Sequence, residues 1–482
     1  MGVSETLAEF FEFDEHGTDF RTETIAGVTT FLAMAYIIVV NPSILTPAIF
    51  GEPPDALGPD STTTIGAETY TFLEVQQMLA VVTILASIIA IVVMAFYAKR
   101  PFGLAPGMGL NAFFTFTVVL LLGVPWQVAL AAVFVEGLLF IALTAVGARQ
   151  YIIELFPEPV KFAVGAGIGV FLLFLGLQEM QLVVAYDATL VQLGNVLESP
   201  IAAFSLAGLV FTLLLYARGV RGSIIIGVLG TAIAAWVVTL AGLVEPGTIT
   251  PESGVGGVQY DFTPLFWGFV DGLGMIGEDP LVFALVVFTF FFVDFFDTAG
   301  TLIGVSQIAG FLDDKGDLPD IEKPLMADAV GTTAGAMIGT STVTTYIESS
   351  TGVEEGGRTG FTALVVGACF LVSLAAVPLI TAIPTYASYL ALVVVGIIML
   401  QGVADIDWQD PAWAISGGLT ITVMPLTTSI ANGLAAGIIS YPLVKSAMGD
   451  PRDVSLGQWV LAVTFIGYFL VYFAIEAGQI TF

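Results

Sequence analysis

PFGLAPGMGLNAFF, residues 101–114, and GTSTVTTYIESSTG, residues 339–352, are the two stretches on which the fold turns. Each stands where the surrounding sequence calls for a helix across a bilayer, and neither can supply a regular one. In the first, Pro and Gly break the helical ladder. The second is polar and β-branched where lipid would demand Leu. In hydrocarbon the free backbone groups have no water to turn to, so both stretches must be broken, partly extended segments that face protein or water.

The rest of the chain sets the context for these two interruptions. Of its 482 residues 57% are hydrophobic and 11% charged, a balance that suits a bilayer and not a soluble domain of this size. Apolar runs long enough to cross a membrane recur near 24–41, 77–98, 105–122, 126–147, 160–178, 200–217 and 222–243. A second set lies near 283–309, 325–339, 344–356, 359–378, 385–403, 412–425 and 428–446. Seven spans per half is an odd number, so the halves insert upside down relative to each other, and the broken segment is the third of each half. The predicted fold is an all-α polytopic membrane protein with about 14 transmembrane spans in a 7+7 inverted repeat, spans 3 and 10 being broken by short extended segments. A further apolar run at 457–475 stands outside this plan, either as an added span or as a helix lying on the surface.

Charge predicts orientation. Arg21, Lys99, Arg100, Arg149, Lys161, Arg218 and Arg221, then Lys315, Lys323, Arg358, Lys445 and Arg452, all fall on one side if the N-terminus is cytoplasmic. The stretches 42–76, 179–199 and 244–282 carry no Lys or Arg and are expected outside. The expected location is the cell membrane, multi-pass. The acidic first twenty residues do not read as a signal peptide. A net charge of -29, spread over loops and termini, suits a high-salt, halophilic setting and gives no support for nucleic-acid binding. With a single cysteine, Cys369, neither a disulfide framework nor a cysteine metal site can form within one chain; no cofactor is implied.

An ionisable residue inside a span costs about 2.5–3.5 kcal/mol on insertion scales and needs a partner or a task. Asp294 and Asp297 lie three apart in FFFVDFFDTAGTLIGV, on neighbouring positions of one helix face. Glu348 sits in the second broken segment beside Thr344, Thr345 and Tyr346. Asn111 ends the first, just after Gly107 and Gly109. Glu136, a lone acid in the fourth span without polar neighbours, reads as structural. Glu354, Glu355 and Arg358 suggest an ion pair at the cytoplasmic edge, and GAGIG (165–169) reads as close helix packing. His16, the sole histidine, precedes the first span, so a proton relay would run on carboxylates. Together these groups describe a small polar ligand held at midplane, its N–H groups accepted by carboxylates. A buried acid that gains and loses a proton would provide the coupling.

FVDFFDTAGTLIGV (292–305), GLAPGMGLNAFF (103–114), TETIAGVTTFLAMAYIIVVNP (22–42) and TSTVTTYIESSTGVEEGGRTG (340–360) resemble the nucleobase:cation symporter-2 superfamily, most closely its adenine, guanine and hypoxanthine permease branch. The resemblance implies a cytoplasmic segment 1–22, a core domain from 23–150 and 283–380, a gate domain from 151–282 and 381–450, and a C-terminal apolar segment 451–482 of open topology. It implies import of a purine nucleobase by proton or sodium symport, with a homodimer as one arrangement. By similarity Asn111, Asp294, Glu348, Gly109 and Thr345 would bind substrate, while Asp297 and Glu348 would handle the proton. Either aspartate could hold the position of the substrate-binding acid. A transporter of xanthine or uracil, or of a small anion, is the runner-up; carboxylates at the site argue against an anion. A channel, an aspartyl protease and a retinal pump fit less well: no filter repeat is visible, the two aspartates share one helix, and no lysine lies well inside a span.

Overall fold

The computed structural model describes residues 3–58, 60–147, 155–251, 259–313 and 318–476; Arg149 and Lys315 lie outside the described residues. The chain is mostly helical, and nine helices among the described residues are long and apolar enough to cross a bilayer. In the first half the helices that frame the site are α1 (Phe20–Phe50), α2 (Phe72–Ala98), α3 (Met108–Leu121), α4 (Trp126–Ala145), α5 (Glu158–Glu179), α6 (Pro200–Ala217) and α7 (Ser223–Leu240). The second half contributes α8 (Pro280–Ala309), α9 (Glu322–Ile338), α10 (Ser349–Glu354), α11 (Gly360–Ile380), α12 (Thr385–Asp405), α13 (Pro411–Leu426), α14 (Ile430–Met448) and α15 (Leu456–Glu476).

Most helix ends fall within a few residues of the expected spans, because charge, Pro and capping side chains mark them. Asp279 accepts from Val282 N at 3.1 Å to start α8, Asp410 from Ala412 N at 2.7 Å to start α13, and Thr71 with Glu74 forms a capping box on α2. The expected loop 42–76 needs correcting. Helix α1 runs on to Phe50 through Pro42 and Pro47, with Ile44, Leu45 and Ala48 buried. It is interrupted instead at Ala35 and Tyr36, six residues and more ahead of Pro42. The run at 457–475 is helix α15; it packs on α14 and sets Phe465 against Phe288 of α8, with ring centroids 5.6 Å apart.

Helices α1, α2, α4, α8, α9 and α11 pack on one another, whereas α5 packs on α12 and α13, α13 on α14, and α6 on α7. Two of the GAGIG glycines bring backbones close: a Cβ on Gly167 would lie 3.2 Å from the Thr420 carbonyl of α13 and one on Gly169 2.8 Å from the Gly396 carbonyl of α12, whereas Gly165 meets nothing. Leu214, Val237, Leu371 and Val372 stay exposed on outer helix faces, as side chains directed at lipid would.

Candidate functional site

The two irregular stretches meet. Strand β1 (Leu104–Pro106) pairs antiparallel with β2 (Val343–Thr345), Leu104 opposite Thr345 and Pro106 opposite Val343. The pairing continues at both ends, Gly107 N donating to Thr342 O at 2.9 Å and Tyr346 N to Gly103 O at 3.0 Å. Backbone groups that a broken helix would leave unmet are thereby satisfied inside protein. At Gly107 the approach is close, and a Cβ there would sit 3.0 Å from Thr344 Oγ1. Helix α3 begins immediately after, at Met108, and widens into π turns from Phe113.

Side chains fix the pair from both sides. Asp328 of α9 accepts from Thr345 N at 3.2 Å and from Thr345 Oγ1 at 2.8 Å. Thr332, one turn along, donates to Val343 O at 3.0 Å and accepts from Val343 N at 3.1 Å. Tyr346 donates its hydroxyl to Pro106 O at 2.6 Å, and Gly103 N donates to Ser349 Oγ at 2.9 Å. Asn111 is inside the first turns of α3. Its Oδ1 accepts from Ser341 Oγ, so it ties α3 to the approach of β2. Gly109 faces α5, where a Cβ would come 2.6 Å from Ile168 Cγ2.

The carboxylates divide into two groups. Glu348 lies in the turn between β2 and α10, half-buried, with Oε1 accepting from Tyr36 Oη at 2.5 Å at the interruption of α1. Helix α8 crosses β2 and α10, and Asp297, also half-buried, interacts electrostatically with Glu348 and Tyr346. Asp294 is fully buried; it accepts from Thr298 Oγ1 at 3.2 Å and meets Glu136 of α4. The expectation that Glu136 lacks polar neighbours is therefore corrected: its neighbour is 158 positions away and invisible to local reading. The expected edge ion pair also changes partners. Glu355 pairs with Arg221, while the Arg358 guanidinium donates to the Val353 and Gly357 carbonyls at 2.6 and 2.7 Å.

Four residues of this network escaped the sequence reading: Tyr36, Asp328, Thr332 and Glu23. Asp328 is an acid inside the expected span 325–339, so the rule that selected Asp294 was available for it, whereas Glu23 falls just ahead of the first expected span. Glu23 accepts from Thr359 Oγ1 at 2.8 Å and Thr362 Oγ1 at 2.6 Å, and from Arg358 N at 3.0 Å, which caps α11 from α1. A cleft of about 830 Å³ lies elsewhere, lined in part by Ser43, Gln76, Gln178, Glu179 and Tyr386; Asn111, Asp297 and Glu348 do not line it.

The protein is a multi-pass membrane transporter rather than an enzyme. It belongs to the xanthine/uracil permease family, the nucleobase:cation symporter-2 family, whose permease profile matches residues 21–436. The chain is 40% identical to the guanine/hypoxanthine permease PbuG of Bacillus subtilis, over 96% of this chain and 99% of that one. It is 36% identical to the adenine permease AdeP of Escherichia coli, over 95% of each. Among solved structures it resembles the transmembrane domain of the cyanobacterial bicarbonate transporter BicA, with a TM-score of 0.55 and 14% identity over 86% of this chain and 97% of that one, a likeness of fold alone.

Proposed function

We propose that this transporter imports purine nucleobases of the adenine, guanine and hypoxanthine class by proton symport with alternating access. The observation that carries the reading is the placement of two half-buried, electrostatically interacting acids, Glu348 and Asp297, beside the paired strands β1 and β2. A purine presents N–H donors and ring-nitrogen acceptors along one flat edge. Glu348, oriented by Tyr36, accepts from an N–H; backbone N–H groups at the start of α3 can donate to the base. Asp297 takes up the coupling proton on one side and yields it on the other, with Glu348 as its partner. Asn111, Gly109 and Thr345 shape the pocket through the strand pair and its contact with α5. Asp294 of α8, first expected at the substrate, pairs in this reading with Glu136 of α4.

The 14-span inverted repeat, with a cytoplasmic N-terminus, remains the topology of this proposal. Its core holds α1 to α4 and α8 to α11, its gate α5 to α7 and α12 to α14, in keeping with the two packing groups. The relatives' names supply the purine class. Radiolabelled uptake by purified protein in liposomes tests the whole reading. Adenine, guanine or hypoxanthine should accumulate under an inward proton gradient and cease to do so with a protonophore. Full uptake driven by sodium at equal pH on both sides would remove the proton assignment, and failure to take up any purine would remove the function.

A further inference from the structure

Helix α4 lays one face on α8. Phe140, one turn beyond Glu136, sets its ring 6.0 Å from that of Phe291 and 6.4 Å from that of Phe295, which lie on either side of Asp294 along the chain. Behind it Gly137 approaches α9 so closely that a Cβ would lie 2.5 Å from Thr333 Oγ1. This packing delivers the Glu136 carboxyl to that of Asp294, both residues having no solvent exposure. Apart from Asp294, no group among the described residues reaches either Glu136 oxygen. Neither α4 nor α8 contains a Lys or Arg. Of the nearby acids, Asp328 is engaged by Thr345, and Asp297 feels the like charge of Glu348.

Two carboxylate oxygens in contact repel unless a proton lies between them. We propose that Glu136 and Asp294 form a proton-binding pair that joins α4 to α8 and thereby positions Asp297, one turn further on, opposite Glu348. Glu136 is a positioning residue: it acts through α8 and touches no substrate. This deepens the transport reading, on which its functional consequence rests, but the proton site itself does not depend on what is carried.

Infrared spectroscopy of the purified full-length protein at neutral pH reads the pair directly. The wild type should show a protonated-carboxyl C=O band that Glu136→Gln removes, and Asp294→Asn should remove or shift the same band if the first variant fails to fold. The pH profile gives a second readout. As pH rises the pair loses its proton, two negative charges face each other, and thermal stability and purine binding decline together. In Glu136→Gln, whose neutral amide can donate to Asp294 without titrating, this alkaline decline should move up by about one pH unit or more. Absence of the band in the wild type, or an unchanged band and alkaline limb in Glu136→Gln, would overturn the pair. A wild type that carries no purine but keeps the band would sink the transport reading and leave the proton site standing.

Discussion

Tyr36 and Glu348, 312 residues apart in the chain, are joined by a hydrogen bond of 2.5 Å from the phenol to the carboxylate. The bond ties the interruption of α1 to the turn after β2, and it fixes which way the carboxylate points. A freely rotating Glu348 would lose side-chain entropy each time it gripped a ligand; one held by Tyr36 has lost it beforehand.

Tyr36→Phe removes the donor while keeping the ring. A hydrogen bond to a charged group contributes about 1.5–3 kcal/mol, so purine affinity measured by calorimetry should fall roughly tenfold to a hundredfold. Glu348→Gln should lose a similar amount, and the double variant should lose less than the sum, because both changes break one interaction. Fully additive losses would place Tyr36 outside the site.

Gly109 and Ile168 test the contact between α3 and α5. An alanine at 109 would come 2.6 Å from Ile168 Cγ2, so a side chain must shift. Gly109→Ala should slow uptake, and adding Ile168→Ala should restore much of the rate. If the second change does not help, the glycine serves something other than clearance.

Glu23→Ala leaves the first backbone N–H groups of α11 and the Thr359 and Thr362 hydroxyls without their shared acceptor. Unmet buried donors cost about 1–3 kcal/mol each, partly recovered by relaxation, so the unfolding midpoint in detergent should fall by several degrees. The apparent KM of the protein that remains folded should stay near wild type, which separates Glu23 from the substrate site.

Salt should stabilise the protein. With a net charge of -29, repulsion between loops is strong at low ionic strength and is screened over about 3 Å near 1 M salt. The thermal midpoint should rise steadily between dilute buffer and molar potassium chloride; a flat response would remove the halophilic reading of the composition. Lowering the pH acts the other way on individual ion pairs. The Lys99 ammonium, bonded to Glu12 at 2.5 Å, holds that carboxyl below its ordinary value. Its contribution is present above the ordinary carboxylate range and fades as pH falls through the lowered value. Because both side chains are about a third exposed, Lys99→Ala should cost less than about 1 kcal/mol at neutral pH.

Much of the fold could be read from the sequence, because lipid punishes exceptions. The runs around Pro106 and Gly107 and around the Thr-rich 340–345 had no helical reading available, and Leu104–Pro106 and Val343–Thr345 within them do form strands. Span ends followed charge and caps. Pairings were less accessible. Nothing near Glu136 hints that Asp294 will lie against it, and Tyr36 is one aromatic in an apolar run until the fold brings Glu348 to it. Helix α1 shows the converse failure: the sequence places the end of the first span near residue 41, but the buried helix continues past Pro42 and Pro47 to Phe50. The division between Asp294 and Asp297 needed coordinates, because three residues along a helix leave a choice between two neighbouring helices.

The crossing of β1 and β2 also bears on how the protein is made. The Pro106 carbonyl and the Tyr346 hydroxyl that binds it are 240 residues apart. At a synthesis rate of about 5–20 residues per second, the first broken segment leaves the ribosome roughly 10–50 seconds before its partner exists. During that interval its unpaired backbone cannot rest in lipid, so the nascent first half must keep this segment in a wet or shielded place, such as the interior of the insertion machinery, until the second half arrives.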